Sequence, residues 1–187
     1  MTSDDELEAA AKAARFPCVA KLLEPALAHR SDVGGVVTGI ASAQALAEVW
    51  QRMHSEFAAE VLLIAEQCPP GLEILVGGVG DATFGQRVVV GAGGIWTDRA
   101  DDAVTLIPPF DDAYIEERLR GLKLWPRLAG ERGQSALAVD RLVATVRAIA
   151  DIAWREREVL NEFECNPIIV TETDAIAVDA LGLGPAL

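Results

Sequence analysis

Two apolar, β-prone runs near the C-terminus, NPIIV (166–170) and AIAVDA (175–180), are separated only by TETD. Four residues cannot make the crossover that parallel strands need, which takes a dozen or more, so the two runs pair as an antiparallel hairpin. The same logic reads CPPG (68–71) as a hairpin connection between EVLLIAEQ (60–67) and LEILVGGVG (72–80). There proline pre-sets one turn position and glycine allows positive φ. Such strand–turn–strand units argue against a doubly wound parallel sheet and for an α/β chain of the α+β kind.

The rest of the chain fits that class. Strands are expected at FPCVAKLL (16–23), at the end of AHRSDVGGVVTGI (28–40), at RVVVGAGG (87–94) and at AVTLIPPF (103–110). Helices are expected at 4–14, at 41–58 with Ser42 as N-cap, at 111–122 and at 135–158, the longest, apolar along one face. A length of 187 residues with 51% hydrophobic side chains suits one domain, or one domain of two small lobes. At that size roughly 70% of the unfolded surface is buried, so no staple is required.

Charge and cysteine usage exclude several classes. The net charge of -13 opposes non-specific binding to a phosphate backbone, so no nucleic-acid partner is expected. Cys18, Cys68 and Cys165 are odd in number, widely spaced and show no CxxC, which argues against a disulfide framework or a zinc site. The acidic, helix-prone N-terminal stretch is no signal peptide, and no apolar run is long enough to span a membrane, so a cytoplasmic protein is expected. A chain this acidic that handles a polyanion needs a divalent cation or a few well-placed basic groups.

Several residues could supply that chemistry. A two-residue turn at Glu172 and Thr173 sets Asn166 opposite Asp179, with Cβ atoms about 5 Å apart. A carboxylate and an amide oxygen so placed suit Mg²⁺, which fills its remaining sites with water and phosphate oxygens; strand-end residues satisfying turns would look the same. Lys21, in an otherwise apolar strand, is either an edge-strand lysine that limits aggregation or an ammonium directed at phosphates. His29 opens HRSDVGG, where Asp32 could orient the ring and Gly34–Gly35 permit close backbone approach. His54, late in a helix, reads as surface. Glu66 and Glu73 flank CPPG and could accept ribose hydroxyls, while the 64–67 backbone could pair with an adenine edge. GAGG (91–94) is neither a Walker loop nor GxGxxG, and fits a phosphate-covering loop or a simple turn equally well.

In this order, FPCVAKLLEPALAHRSDVGGV, GLEILVGGVGDATFG, GAGGIWTD, LRGLKLWPRLAGERG, EFECNPIIV and AIAVDA resemble the ATP-grasp domain of NDP-forming acyl-CoA synthetases. These include the ADP-forming acetate–CoA ligases and are relatives of succinyl-CoA synthetase. The resemblance runs over roughly residues 5–182, with HRSDVGGV and ECNP…VDA its most specific motifs. It implies an ATP-grasp fold of two small lobes, with mixed or antiparallel sheets flanked by helices, as a single domain over 1–187. It implies ATP or ADP with Mg²⁺ as cofactors. Lys21 would contact phosphates, Ile64, Glu66 and Gln67 would hold the adenine, and Glu73 would belong to the nucleotide pocket. Asn166 and Asp179 would ligate Mg²⁺, Glu164 would lie near phosphoryl transfer, and His29 would act as phosphoryl relay.

Relative to the family pattern the chain lacks a leading helix and strand, and a CoA-binding domain. Asp98 and Leu106 replace a glutamate and an arginine, and Ala65 replaces a glutamine. The resemblance therefore implies an acid–thiol ligase that works with a CoA-binding partner subunit on a separate chain, and allows a homo-oligomer. The alternatives are a degenerate, non-catalytic subunit with a regulatory role and a pure interaction domain.

Overall fold

The computed structural model describes residues 4–23, 34–81, 85–94 and 102–184. They form two compact units that divide after Gln67. All described strand pairings are antiparallel.

The first unit is a three-stranded sheet with two helices. Helix α1 (Asp4–Ala13) leads into β1 (Cys18–Leu22), followed by β2 (Val36–Ile40), α2 (Ala43–Phe57) and β3 (Leu62–Glu66). The strand order is β2-β1-β3. Ser42 caps α2, its hydroxyl accepting from Ala45 N–H at 3.2 Å. Leu46, Trp50 and Met53 share one face of α2 and pack with Cys18, Ala20 and Leu22 of β1, which alternate toward the helix. The central strand is buried along its whole length, including Lys21 at 7% exposure.

The second unit is a six-stranded sheet covered by helices. β4 (Leu72–Asp81), β5 (Gly85–Ala92) and β6 (Ala103–Leu106) form a meander. It is followed by α3 (Asp112–Leu119), the short α4 (Trp125–Ala129) and α5 (Val139–Arg155). β7 (Glu162–Val170), β8 (Ala175–Ala177) and β9 (Leu181–Leu183) complete it. The path is β6-β5-β4-β7-β8, with β9 also pairing β7. Leu142, Val146, Ile149 and Ala153 of α5 recur at helical spacing and cover Ile74, Val76, Val88, Val90, Cys165 and Ile168. At Gly78 any side chain would collide with Ala153 of α5, so glycine sets the close approach of helix and sheet.

Two expectations change here. CPPG is not a hairpin connection: β3 pairs with β1, while β4 pairs with β5 and β7, so the segment joins two separate sheets. The reason is that proline and glycine set where the chain turns but not which sheet the next strand joins. Glu66 and Glu73 consequently belong to different units rather than to two ends of one hairpin. Lys21 is not an edge-strand lysine either, since β1 is the middle strand of its sheet. The short α4 and β9 escaped the sequence reading, being too brief for a periodic signal.

Candidate functional site

The C-terminal hairpin has the register expected from its four-residue connection. Ile168 pairs with Ala177, Ile169 with Ile176 and Val170 with Ala175. Thr171 closes the turn, its N–H donating to Asp174 C=O at 2.8 Å and its hydroxyl accepting from Asp174 N–H at 3.0 Å. Beyond a break the same register resumes, with Glu164 opposite Leu181 and Glu162 opposite Leu183. Positions 166 and 179 fall within that break, where the continued register sets them across from one another.

On its other side β7 carries a bulge. Ile74 pairs with Ile168 but Val76 with Cys165, so Asn166 and Pro167 together oppose the single residue Leu75. A bulge of this kind redirects a side chain out of the regular ladder. Asn166 uses the redirection: its Oδ1 accepts from Gly94 N–H at 2.9 Å. Gly93 N–H in turn donates to Glu73 C=O at 3.0 Å. Gly94 has φ of +61°, and its bare Cα faces the Glu73 carboxylate so closely that no Cβ fits there. The last two glycines of GAGG are thus seated between Glu73 and Asn166, a structural role for a cluster that carries little information as sequence.

Strand alternation collects these groups on one face. Ile74, Val76, Cys165 and Ile168 point to α5. Glu73, Leu75 and Gly77 of β4 and Glu164 of β7 therefore point away from it. Gly77 pairs with Glu164, and a Cβ added at Gly77 would meet the Glu164 Cβ at 3.3 Å, so the sheet surface beside this carboxylate is bare backbone. Burial raises the Cys165 thiol pKa, and the neighbouring Glu164 and Asp179 carboxylates raise it further, which places both acids in electrostatic reach of the same sulfur.

The donor set suits a hard cation. Asn166 offers an amide oxygen and Asp179 a carboxylate, and no group of three His, Cys, Asp or Glu side chains forms a ready-made cage among the described residues. An amide oxygen and a carboxylate are hard donors that fit Mg²⁺, which takes one or two carboxylates and draws its other ligands from water and phosphate.

The first unit holds the remaining described candidates. Lys21 sits mid-strand, opposite Val36 of β2 and Leu63 of β3. Gln67 N–H donates to Pro17 C=O, which fixes the alternation along β3. Ala65 and Gln67 direct their peptide groups to β1, and Ile64 and Glu66 direct theirs to the outer edge of the sheet. The Gln67 carboxamide oxygen accepts from Gly39 N–H at 2.6 Å, and Glu66 lies 3.6 Å from Arg15 in an exposed ion pair. His29 and Asp98 lie outside the described residues. His54 is exposed and stacks on Trp50, as a surface histidine would. Leu106 is fully buried in the core of the second unit, so its side chain cannot stand for a phosphate-side cation. Arg87 on β5 was missed by the sequence reading; the signal available was the alternation of RVVV beside buried Gln86, Val88 and Val90.

The profile of the ATP-grasp domain matches residues 1–181. The chain is 30% identical to the β subunit of acetate–CoA ligase [ADP-forming] I from Pyrococcus furiosus, over 88% of this chain and 74% of that one. It is 31% identical to acetate–CoA ligase [ADP-forming] II from Archaeoglobus fulgidus, over 95% of this chain but only 26% of that much longer one. Among solved structures, the acetyl-coenzyme A synthetase 1 of Ca. Korarchaeum cryptofilum in complex with coenzyme A and Ca-AMPCP superimposes with a TM-score of 0.88. The two share 25% identity, over 99% of this chain and 83% of that one. The chain belongs to the ATP-grasp family, as the β-subunit type found in the NDP-forming acyl-CoA synthetases, which are acid–thiol ligases. No helix among the described residues is long and apolar enough to cross a membrane.

Proposed function

We propose that this chain binds Mg-ATP or Mg-ADP and exchanges phosphate with a phosphohistidine on a CoA-binding partner chain, as the nucleotide-handling half of a cytoplasmic acyl-CoA synthetase. The observation that carries this reading is the joining of Glu73, Gly94 and Asn166, with Gly94 N–H on Asn166 Oδ1 at 2.9 Å. In this reading Glu73 accepts hydrogen bonds from the ribose. The outward peptide groups of Ile64 and Glu66 read the adenine edge, and Gln67 holds that strand end through Gly39. Asn166 and Asp179 hold Mg²⁺. When bound, the metal neutralises phosphate charge and fixes the phosphate oxygens for in-line transfer. Lys21 adds a second positive charge toward the phosphates. Glu164, one alternation step from Asn166 on the same face, lies where the transferred group travels, and His29 is assigned the relay.

Calorimetry with Mg-ADP tests the reading. Wild-type chain should bind with magnesium and lose binding when the metal is chelated. Absence of binding at millimolar nucleotide would sink it and favour a pure interaction domain. Binding that Asp179→Ala abolishes, without phosphoryl transfer to any CoA-binding partner, would favour the non-catalytic subunit.

A further inference from the structure

The face of the second sheet that turns away from α5 is acidic, and one basic side chain stands on it. By alternation it receives Glu73, Leu75, Gly77 and Val79 from β4, Glu162 and Glu164 from β7, and Arg87 and Val89 from β5. Gln86, Val88 and Val90, on either side of Arg87 and Val89, are buried on the opposite face. Arg87 is the one lysine or arginine in the described strands of this sheet. Register places it opposite Val79, which in turn is opposite Glu162; the adjoining row runs Val89, Gly77, Glu164.

These rows form a scale along β4. With a rise of about 3.3 Å per residue, successive same-face rows are about 7 Å apart. Glu73 begins the scale, the Asn166 bulge is next, the Glu164 row follows, and Arg87 with Glu162 comes last, about 20 Å from Glu73. A nucleotide with its sugar at Glu73 and its phosphates at Asn166 and Asp179 directs its terminal phosphate toward Glu164. Arg87 stands one row further, beyond the nucleotide. Between them the surface is low, because Gly77 brings no side chain. A phosphorylated group arriving there would meet Glu162 and Glu164, which repel it, and Arg87, whose fork of donors matches phosphoryl oxygens.

We propose that Arg87 forms a second phosphate subsite, one that recognises the phosphoimidazole brought by the partner chain rather than the phosphates of the nucleotide. This rests on the nucleotide placement given above. In the transfer, a β-phosphate oxygen of ADP attacks the phosphorus, so a P–O bond forms as the P–N bond breaks. The imidazole nitrogen leaves with the electron pair and takes up a proton. Arg87 holds equatorial oxygens of the moving group and reduces its repulsion from Glu162 and Glu164.

Free 3-phosphohistidine serves as the probe, with Mg-ADP as acceptor and ATP formation as readout. Arg87→Met should leave the Mg-ADP Kd within about twofold of wild type. It should lower the rate at subsaturating phosphohistidine by on the order of 30-fold, mainly through a raised KM, with Arg87→Lys recovering part of the loss. Thermal melting checks that the variants fold, and Arg87→Lys carries the same KM test if the methionine variant does not. An unchanged rate overturns the subsite, as does an equal weakening of Mg-ADP binding. A wild-type chain that binds Mg-ADP yet makes no ATP from phosphohistidine also overturns the subsite, and leaves the nucleotide reading standing. A wild-type chain that fails to bind Mg-ADP overturns both.

Discussion

The two units place polar groups on their sheets by opposite means. In the second, β4 alternates, and β7 alternates on either side of its bulge, with apolar residues toward α5 and Glu73, Glu164 and Asn166 on the other face. In the first, β1 is buried on both faces, and its lysine is carried inside an apolar strand at 7% exposure. A half-buried sheet separates the residues that hold the fold together from those available for chemistry. A fully buried strand lets one residue serve both ends, and a buried ammonium has to be matched by polar neighbours to be tolerated. Substitutions on the second sheet's outer face should therefore change binding with little effect on stability, whereas the first unit can break the rule in either direction.

The largest expected effect is at Asp179. Asp179→Ala removes the carboxylate of the proposed metal pair and should weaken Mg-dependent ADP binding by about two orders of magnitude or more. The melting temperature should barely move, because Asp179 lies in the break between β8 and β9 and outside the core cluster. A large loss of stability would show that the acid is structural. Next is Gly94→Ala. The new methyl group would occupy the space of the Glu73 carboxylate, at a residue with φ of +61°. Destabilisation of about 1–2 kcal/mol follows from the backbone alone. Nucleotide affinity should fall further, through displaced Glu73 and the lost seat of Gly94 on Asn166. An unperturbed affinity would show that the glycine turn is a simple turn.

Lys21→Met sharpens the contrast from the other unit. Removing a buried charge alone leaves the polar groups that matched it unsatisfied, which is destabilising. Urea unfolding should therefore show a loss of about 1–3 kcal/mol, while phosphoryl transfer is lost. A strongly destabilised variant with normal transfer would make Lys21 a structural ammonium and remove the phosphate role.

These contrasts explain what could be read in the sequence. The hairpin register was legible because a four-residue connection leaves few choices, so Ile168 opposite Ala177 followed from counting. Glu73 stood out as a lone acid inside LEILVGG, and the burial of Ile74 and Val76 against α5 sets which way it points. Lys21 was ambiguous, because an apolar strand with one lysine reads identically at an edge or in the middle, and strand order is a long-range property. CPPG was misread for the same reason: turn chemistry specifies a reversal or a break but not which sheet the next strand joins. The seat of Gly94 on Asn166 spans 72 residues and depends on a bulge, which no local pattern announces. Arg87 was legible in principle, because RVVV alternates beside buried Val88 and Val90.

The smallest expected effect compares the two buried thiols. Cys18 in the first unit and Cys165 in the second both have pKa values above the ordinary thiol range, chiefly through burial. Only Cys165 is raised further by Glu164 and Asp179. A thiol raised in the folded state keeps its proton after the unfolded chain has lost its own. The folded chain then binds more protons at alkaline pH, so stability falls as pH rises above about 8.5 and is unaffected well below it. Asp179→Asn removes one of the two charges near Cys165 and should move the onset of its alkylation by iodoacetamide to slightly lower pH, leaving Cys18 unchanged. Equal shifts at both thiols would mean that the substitution acts through general loosening. A shift confined to Cys165 would mean that Asp179 acts by its charge, on the second unit alone.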